Sequence, residues 1–254
     1  MKCVVLKFGT GILAESGGCA LDAAQFERLA AEIAALMKQG IPCVLVSSAA
    51  ITAGVHALGL PKRPAHLAGK QACAAVGQPA LMAAYAQSFA AHGVTTAQLL
   101  LTQEDIVDEK RRHNAEVTLQ HLLSMPQVLP IINENDSVAT DEITFGDNDQ
   151  LSAAVAIMMK ARLLILLTSA DGLMAMSRKA PPVRIPVVTD FEDALSHVTS
   201  EKGEHSTGGM QAKLQAVARA VEAGVETIIA NGRTPGQSQK ILAREDIGTR
   251  FPAA

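Results

Sequence analysis

Two stretches decide the fold: KCVVLKFGTG (residues 2–11) and DAAQFERLAAEIAALMKQGIPCVLVS (residues 22–47). The first is an apolar β run over 2–8 that ends at a glycine turn. In the second, Phe26, Leu29, Ile33 and Leu36 recur at helical spacing. Asp22 can cap that helix, with Gln25 three residues on, and Gly40 can end it. A second apolar run, PCVLVS, follows at once over 42–47. A β-α-β unit this short predicts two parallel strands joined by a right-handed crossover.

Outward from this unit the alternation continues. The pattern predicts a helix over 76–92 ended by Gly93, a strand over 95–101, a helix over 107–124 and a strand over 127–132. It then predicts a helix over 149–160, a strand over 163–168, a helix over 209–223 stopped by Gly224, and a strand over 225–230. Apolar runs without alternation belong to strands buried on both faces. The expected architecture is α/β, a three-layer α/β/α sandwich with a mainly parallel central sheet. Residues 171–206 break the rhythm with Asp171-Gly172, Pro181-Pro182, Pro186 and Thr207-Gly208-Gly209 just beyond, and should hold turns and short strands. No repeat, low-complexity tract or interdomain linker stands out, so a single domain over 1–254 is expected.

Bulk composition narrows the function classes. With 48% hydrophobic and 19% charged residues, the 254-residue chain is no disordered segment. A net charge of −3 gives no electrostatic footprint for nucleic acid or an anionic membrane. Apolar runs stop short of membrane-spanning length, and the N-terminus lacks a signal-peptide core, so a cytoplasmic protein is expected. Cys3, Cys19, Cys43 and Cys73 show no metal or redox spacing and read as small buried hydrophobes. Aromatic content is 3% with no Trp, which leaves no platform for stacked bases.

In sheets of this kind ligands bind outside the carboxyl ends of the strands. The loops there are polar. KFGTG (7–11) follows the first strand, but it lacks the third glycine of a dinucleotide fingerprint, and no P-loop sequence occurs. Lys7 is then either a phosphate ligand or an ordinary surface lysine. TGGMQAKLQAVARAVEAG (207–224) opens an amphipathic helix with two glycines and carries Lys213 one turn inside. Its free N–H groups and dipole suit a phosphate. The plainer reading is a glycine turn ahead of a packing helix whose core face is Met210, Leu214, Val217 and Val221. SSAAITAG (47–54) sets two hydroxyls at a strand end, where serine usually caps a helix. IINENDSVATDEITFGDND (131–149) gathers Glu134, Asp136, Asp141, Glu142, Asp147 and Asp149, with no Lys or Arg between Arg112 and Lys160. The histidines show no metal spacing, and no G-x-S-x-G elbow or Cys–His pair is indicated, so neither a zinc site nor nucleophilic catalysis is expected.

Together these motifs resemble the glutamate 5-kinase branch of the amino acid kinase family. The resemblance runs along the whole chain, through KFGTG, SSAAITAG, KQACAAVGQPALMAAYAQSF (70–89), AQLLLTQED (97–105), NEND (133–136), FGDND (145–149), LLTSADGL (166–173) and TGGMQAK (207–213). The NEND and GDND pair is its most telling part, because the aspartate, acetylglutamate and uridylate kinases that share the fold lack it. The ending IGTRFPAA resembles the close of the kinase domain, without the RNA-binding-like PUA domain that many members append. Departures from the family pattern are Gly11, Ala49, Ser169, Met174 and Ser206.

The resemblance implies that ATP phosphorylates the γ-carboxylate of L-glutamate, the first step of proline synthesis. It implies that Ser48, Asp136 and Asn148 bind glutamate, with Asp136 pairing the ammonium. Lys7 and Lys213 would flank the transferring phosphoryl group, and Asp149 would hold both lysines in place. Gly9, Thr10, Thr207, Gly208, Gly209 and Met210 would cradle phosphates, with Thr168 and Ser169 beside the nucleotide. Mg²⁺ would accompany ATP, with no firm protein ligand. Proline as a feedback inhibitor, a homo-oligomer and hand-over to γ-glutamyl phosphate reductase complete what the resemblance implies. The alternative is a non-catalytic glutamate or proline sensor, motivated by Ser169 and Met174. Retention of Lys7, Lys213 and Asp149 argues against it.

Overall fold

The computed structural model describes residues 2–15, 20–138, 148–175, 181–196 and 209–253. In chain order, the first half comprises β1 (Val4–Phe8), α1 (Thr10–Leu13), α2 (Ala23–Lys38), β2 (Cys43–Ser47), α3 (Ala50–Ala57), α4 (Leu67–Ala90), β3 (Thr95–Leu101), α5 (Gln103–Val107), α6 (Glu109–Leu123) and β4 (Val128–Glu134). The second half comprises α7 (Asn148–Met158), β5 (Leu163–Thr168), β6 (Met174–Ala175), β7 (Val183–Arg184), α8 (Phe191–Ser196), α9 (Met210–Glu222), β8 (Glu226–Asn231), α10 (Gln237–Leu242) and β9 (Thr249–Phe251).

The central sheet has seven strands in the order β3-β4-β2-β1-β5-β8-β9. Its pairings are parallel except β8 with β9, which is antiparallel. Alternate residues of each central strand feed opposite cores. Val5, Val44, Val46, Ile132, Leu164 and Leu166 pack with residues of α6, α7 and α9. Val4, Leu6, Phe8, Leu45, Ile131 and Ile165 pack with residues of α2 and α4. That double burial explains why the strands read as unbroken apolar runs, and it produces the three layers.

Local signals set most element ends. The Asp22 carboxylate accepts from the Gln25 N–H at 3.2 Å and starts α2, and Gly40 follows its last turn at φ +76°. The expected helix over 107–124 begins earlier and divides. Thr102 and Asp105 form a capping box that starts α5, and Asp108 accepts from the Arg111 N–H at 2.8 Å to start α6. The expected helix over 76–92 begins at Leu67, capped by His66 through Gly69 N–H at 3.0 Å. Gly69, Gly77 and Pro79 lower its intrinsic propensity, and packing overrides them. In the 171–206 region β6 and β7 are the short strands expected, whereas α8 was not foreseen.

Helices α3 and α4 meet backbone to backbone. A Cβ added at Gly54 would lie 1.8 Å from the Cys73 carbonyl oxygen, and one at Gly77 would lie 1.9 Å from that of Ala50. Glycine is the residue type that permits this crossing.

The turn between β2 and α3 carries strain. Ala49 sits at φ +79°, ψ 7°, a left-handed conformation that costs a residue with a Cβ about 1–2 kcal/mol. Ala49→Gly is therefore expected to stabilise the chain by about 1 kcal/mol and to raise Tm by about 2–4 °C in a thermal melt. An unchanged or lowered Tm would show that the turn is not strained.

Candidate active site

The sheet reverses its winding between β1 and β5. From β1 the chain proceeds to β2 through α2 on one face, whereas α7, which precedes β5, packs on the other. In a doubly wound sheet such a reversal marks the place, at the carboxyl ends of β1 and β5, where a ligand crevice is expected. A Cβ at Gly9 would lie 3.4 Å from Lys7 Nζ and 4.0 Å from the Leu167 carbonyl oxygen, which places the glycine turn at these strand ends.

Three ionised side chains meet there. Asp149, in the first turn of α7, is 0% exposed. Its Oδ1 lies 2.7 Å from Lys7 Nζ on β1, and its Oδ2 lies 2.9 Å from Lys213 Nζ on α9. Lys7 and Lys213 are only 3% and 8% exposed. The surface-lysine reading of Lys7 is thereby excluded. Two ammonium groups and a carboxylate are here taken out of water together. An arrangement so costly in desolvation suits an anion that arrives with its own charge.

Beside this triad runs a chain of amides. Asn148, next to Asp149, donates from Nδ2 to the Ser47 carbonyl at 2.7 Å, the Asn133 Oδ1 at 2.8 Å and the Ser48 Oγ at 3.1 Å. Asn133 Oδ1 also accepts from the Glu134 N–H at 2.9 Å, and Asn133 Nδ2 donates to Gln78 Oε1 at 2.8 Å. Ser48 is thus a partner of Asn148. The α3 N-cap is Ala49, which makes no side-chain cap. Ser47 is buried against the Tyr85 hydroxyl, 2.9 Å away on α4.

Two of the expected glycine turns precede helix starts. Gly9 precedes α1 and Gly209 precedes α9, and neither makes a side-chain cap. Thr10 and Met210 are the first residues of those helices. Leu214, Val217 and Val221 form the buried face of α9 as expected, with Met210 partly buried against the same core. Thr168 ends β5, and Ser169 is exposed just beyond it. Thr207 and Gly208 lie outside the described residues, as do Asp141, Glu142 and Asp147 of the acidic segment and Cys19.

Residues 2–231 match the amino acid kinase family. The chain belongs to that family. Along its length it is similar to proteins named glutamate 5-kinase. One from Shewanella amazonensis is 48% identical over 98% of this chain and 66% of its own length. One from Gloeobacter violaceus is 43% identical over 100% of this chain and 69% of its own. One from Thermus thermophilus is 43% identical over 99% and 68%. The chain spans about two thirds of the length of these relatives. Among solved structures, a UMP kinase from Bacillus anthracis superposes with a TM-score of 0.65 at 15% identity, over 99% of this chain and 96% of that one. An N-acetylglutamate synthase from Neisseria gonorrhoeae, complexed with coenzyme A and N-acetyl-glutamate, gives 0.70 at 19% identity, over 100% and 60%. These two support the amino acid kinase fold.

Of the residues expected to form the site, Lys7, Asp149 and Lys213 come together, and so do Ser48 and Asn148. Asp136 stands apart. It follows β4 three residues after Asn133, and among the described residues no hydrogen bond reaches its carboxyl. Burial pushes that carboxyl up to about 6, opposed by the Arg63 guanidinium. Asn133 and Gln78 were missed as site residues. Asn133 opens the NEND motif at a strand end, a position that could have been singled out. Gln78 lies within a helix and carries no local signal. The cysteines behave as expected where described. Burial raises Cys3 to about 11 and Cys43 to about 12, which leaves both thiols inert at neutral pH.

The raised carboxyl has a consequence for stability. The folded chain holds a proton on Asp136 that the unfolded chain releases above about pH 3.8. The stability this contributes is present below that pH and is lost as pH rises through about 6. Asp136→Asn should therefore stabilise the ligand-free chain at pH 8 by about 1–2 kcal/mol, after discounting for solvent screening, and by almost nothing at pH 4. Thermal melts at the two pH values check this. Equal shifts at both would refute the desolvated-carboxyl account.

Proposed function

We propose that this amino acid kinase transfers the γ-phosphoryl group of ATP to the γ-carboxylate of L-glutamate, giving γ-glutamyl phosphate. The observation that carries the reading is Asp149, buried and held between Lys7 of β1 and Lys213 of α9. The full-length similarity to glutamate 5-kinases supports the choice of substrate.

A glutamate γ-carboxylate is already ionised at neutral pH, so attack needs no general base. One of its oxygens forms the new bond to the γ-phosphorus, and the bond to the β,γ-bridging oxygen breaks as ADP leaves. Charge spreads over the equatorial oxygens and the leaving group, and Lys7 and Lys213 would meet it from two sides. Asp149 keeps both ammonium groups aligned. Gly9, Thr10, Met210 and the Gly209 turn would offer backbone N–H groups to the phosphates, joined by Thr207 and Gly208. Thr168 and Ser169 would lie beside the nucleotide. Ser48 and Asn148 would bind glutamate, and Asp136 would pair with its ammonium. Magnesium would enter with ATP. Its ligands on this reading are mostly phosphate oxygens and water, with no firm protein ligand named. The reading also carries inhibition by proline, a homo-oligomer, transfer of the product to a reductase and a place in the cytoplasm. Among the described residues no helix is long and apolar enough to cross a membrane.

The test is glutamate-dependent ADP release with Mg-ATP, with hydroxylamine trapping the acyl phosphate as a hydroxamate. L-Glutamate should be phosphorylated at least about tenfold more efficiently than N-acetylglutamate or L-aspartate, because acetylation removes the cation that Asp136 would pair. Equal turnover of N-acetylglutamate would overturn that pairing. Glutamate binding without ADP release would instead leave a sensor. Since the ionised form of Asp136 is the one that holds an ammonium, KM for L-glutamate should rise about tenfold between pH 7.5 and pH 5.

A further inference from the structure

We infer that Gln78 is a specificity-determining residue, its side-chain Nε2–H donating to the α-carboxylate of the amino-acid substrate. The inference rests on the glutamate kinase reading above and deepens it. Gln78 Nε2 and Asn148 Oδ1 are buried and have no hydrogen-bond partner among the described residues.

The amide orientations follow from the network itself. Asn133 Oδ1 accepts from the Glu134 N–H and from Asn148 Nδ2, so its Nδ2 is the donating end. That donor meets Gln78 Oε1, which leaves Gln78 to present a donor. Asn148 donates to the Ser47 carbonyl, so the atom it has left is an acceptor. The relay Gln78–Asn133–Asn148 therefore ends in one unused buried donor and one unused buried acceptor. Buried polar groups in native proteins are nearly always paired, and an open pair of opposite kind calls for a ligand bearing both complements. An α-amino acid does so: its carboxylate accepts and its ammonium donates.

The direction of the relay decides which carboxylate meets Gln78. Asn148 adjoins Asp149 and its two lysines, where the γ-carboxylate must react. Gln78 is at the far end of the relay, so the α-carboxylate falls to it. Its place on α4 is held firmly, because the preceding Gly77 lies against the backbone of Ala50 and Gly54.

The experiment compares L-glutamate with its α-amide, isoglutamine, as acceptors in the wild-type chain and in Gln78→Glu. The substitution keeps an acceptor toward Asn133 and replaces the donor by an anion, which repels an α-carboxylate and accepts from an α-amide. For L-glutamate kcat/KM should fall about 100-fold, chiefly through KM, with KM for ATP within about twofold. For isoglutamine it should fall less than about threefold, so the preference shifts by more than about tenfold. Gln78→Met, which loses the donor without adding charge, should raise KM for L-glutamate about tenfold and serves if the first variant does not fold. Parallel losses for both acceptors, or an unchanged KM in a folded variant, would overturn the assignment alone. A wild-type chain that neither binds nor turns over L-glutamate would overturn the kinase reading and this inference with it.

Discussion

Lys213→Ala is expected to lower kcat by about 10²- to 10³-fold, the scale for removing one preorganised donor, while KM for L-glutamate changes little. Lys7→Ala should behave alike. Each leaves Asp149 with one remaining ammonium, at 2.9 or 2.7 Å, so the buried carboxylate stays compensated and the fold is expected to survive. Asp149→Asn keeps the shape but leaves two buried ammonium groups facing a neutral amide. Neither ammonium is then held in line by the carboxylate that bridges them. Its loss in kcat should therefore approach that of Lys213→Ala, and the double variant should lose less than the sum of the two. Steady-state kinetics of the four variants settle the point. If Asp149→Asn stays within about twofold of wild type while Lys213→Ala is crippled, Asp149 does not organise the lysines.

Gly77→Ala is expected to prevent folding or to cost more than about 3 kcal/mol, above the usual overpacking range. The added Cβ would sit 1.9 Å from the Ala50 carbonyl oxygen and 2.3 Å from the Gly54 nitrogen, both backbone atoms that no rotamer change can clear. Gly54→Ala should do the same against Cys73. Gly11→Ala is the control, since nothing lies within 4 Å of its added Cβ, and its Tm should be unchanged or slightly higher. Soluble yield and thermal melts of the three variants check the expectation. A folded Gly77→Ala chain with wild-type Tm would show that α3 and α4 can separate at little cost. Because this crossing also seats Gln78, a partly folded variant should lose glutamate affinity before ATP affinity.

The sequence by itself determined the layer architecture. Runs such as LLILLT (163–168) have no polar face, so they had to be covered on both sides, and the β5 bounds coincide with the expected strand. Asp22 and Gly40 marked the ends of α2 because capping chemistry acts over three or four residues, within reach of a reading along the chain. The family motifs likewise picked out Lys7, Asp149 and Lys213 before any distance was known.

Tertiary structure alone decided what those residues do to one another. Lys7 could have been a surface side chain, and Asp149 a simple helix cap. Only the folding of β1, α7 and α9 onto one another, across 64 positions between Asp149 and Lys213, made a buried ion triad of them. The backbone contact of α3 with α4 at Gly54 and Gly77 is one that local propensity does not encode. The relay from Gln78 to Asn148 joins residues 55 and 15 positions apart, and a lone glutamine in a helix announces nothing. Short-range chemistry is written in neighbouring residues. A hydrogen bond or a desolvated charge between distant ones depends on which backbones the packing brings within 3 Å, and that is a property of the folded chain.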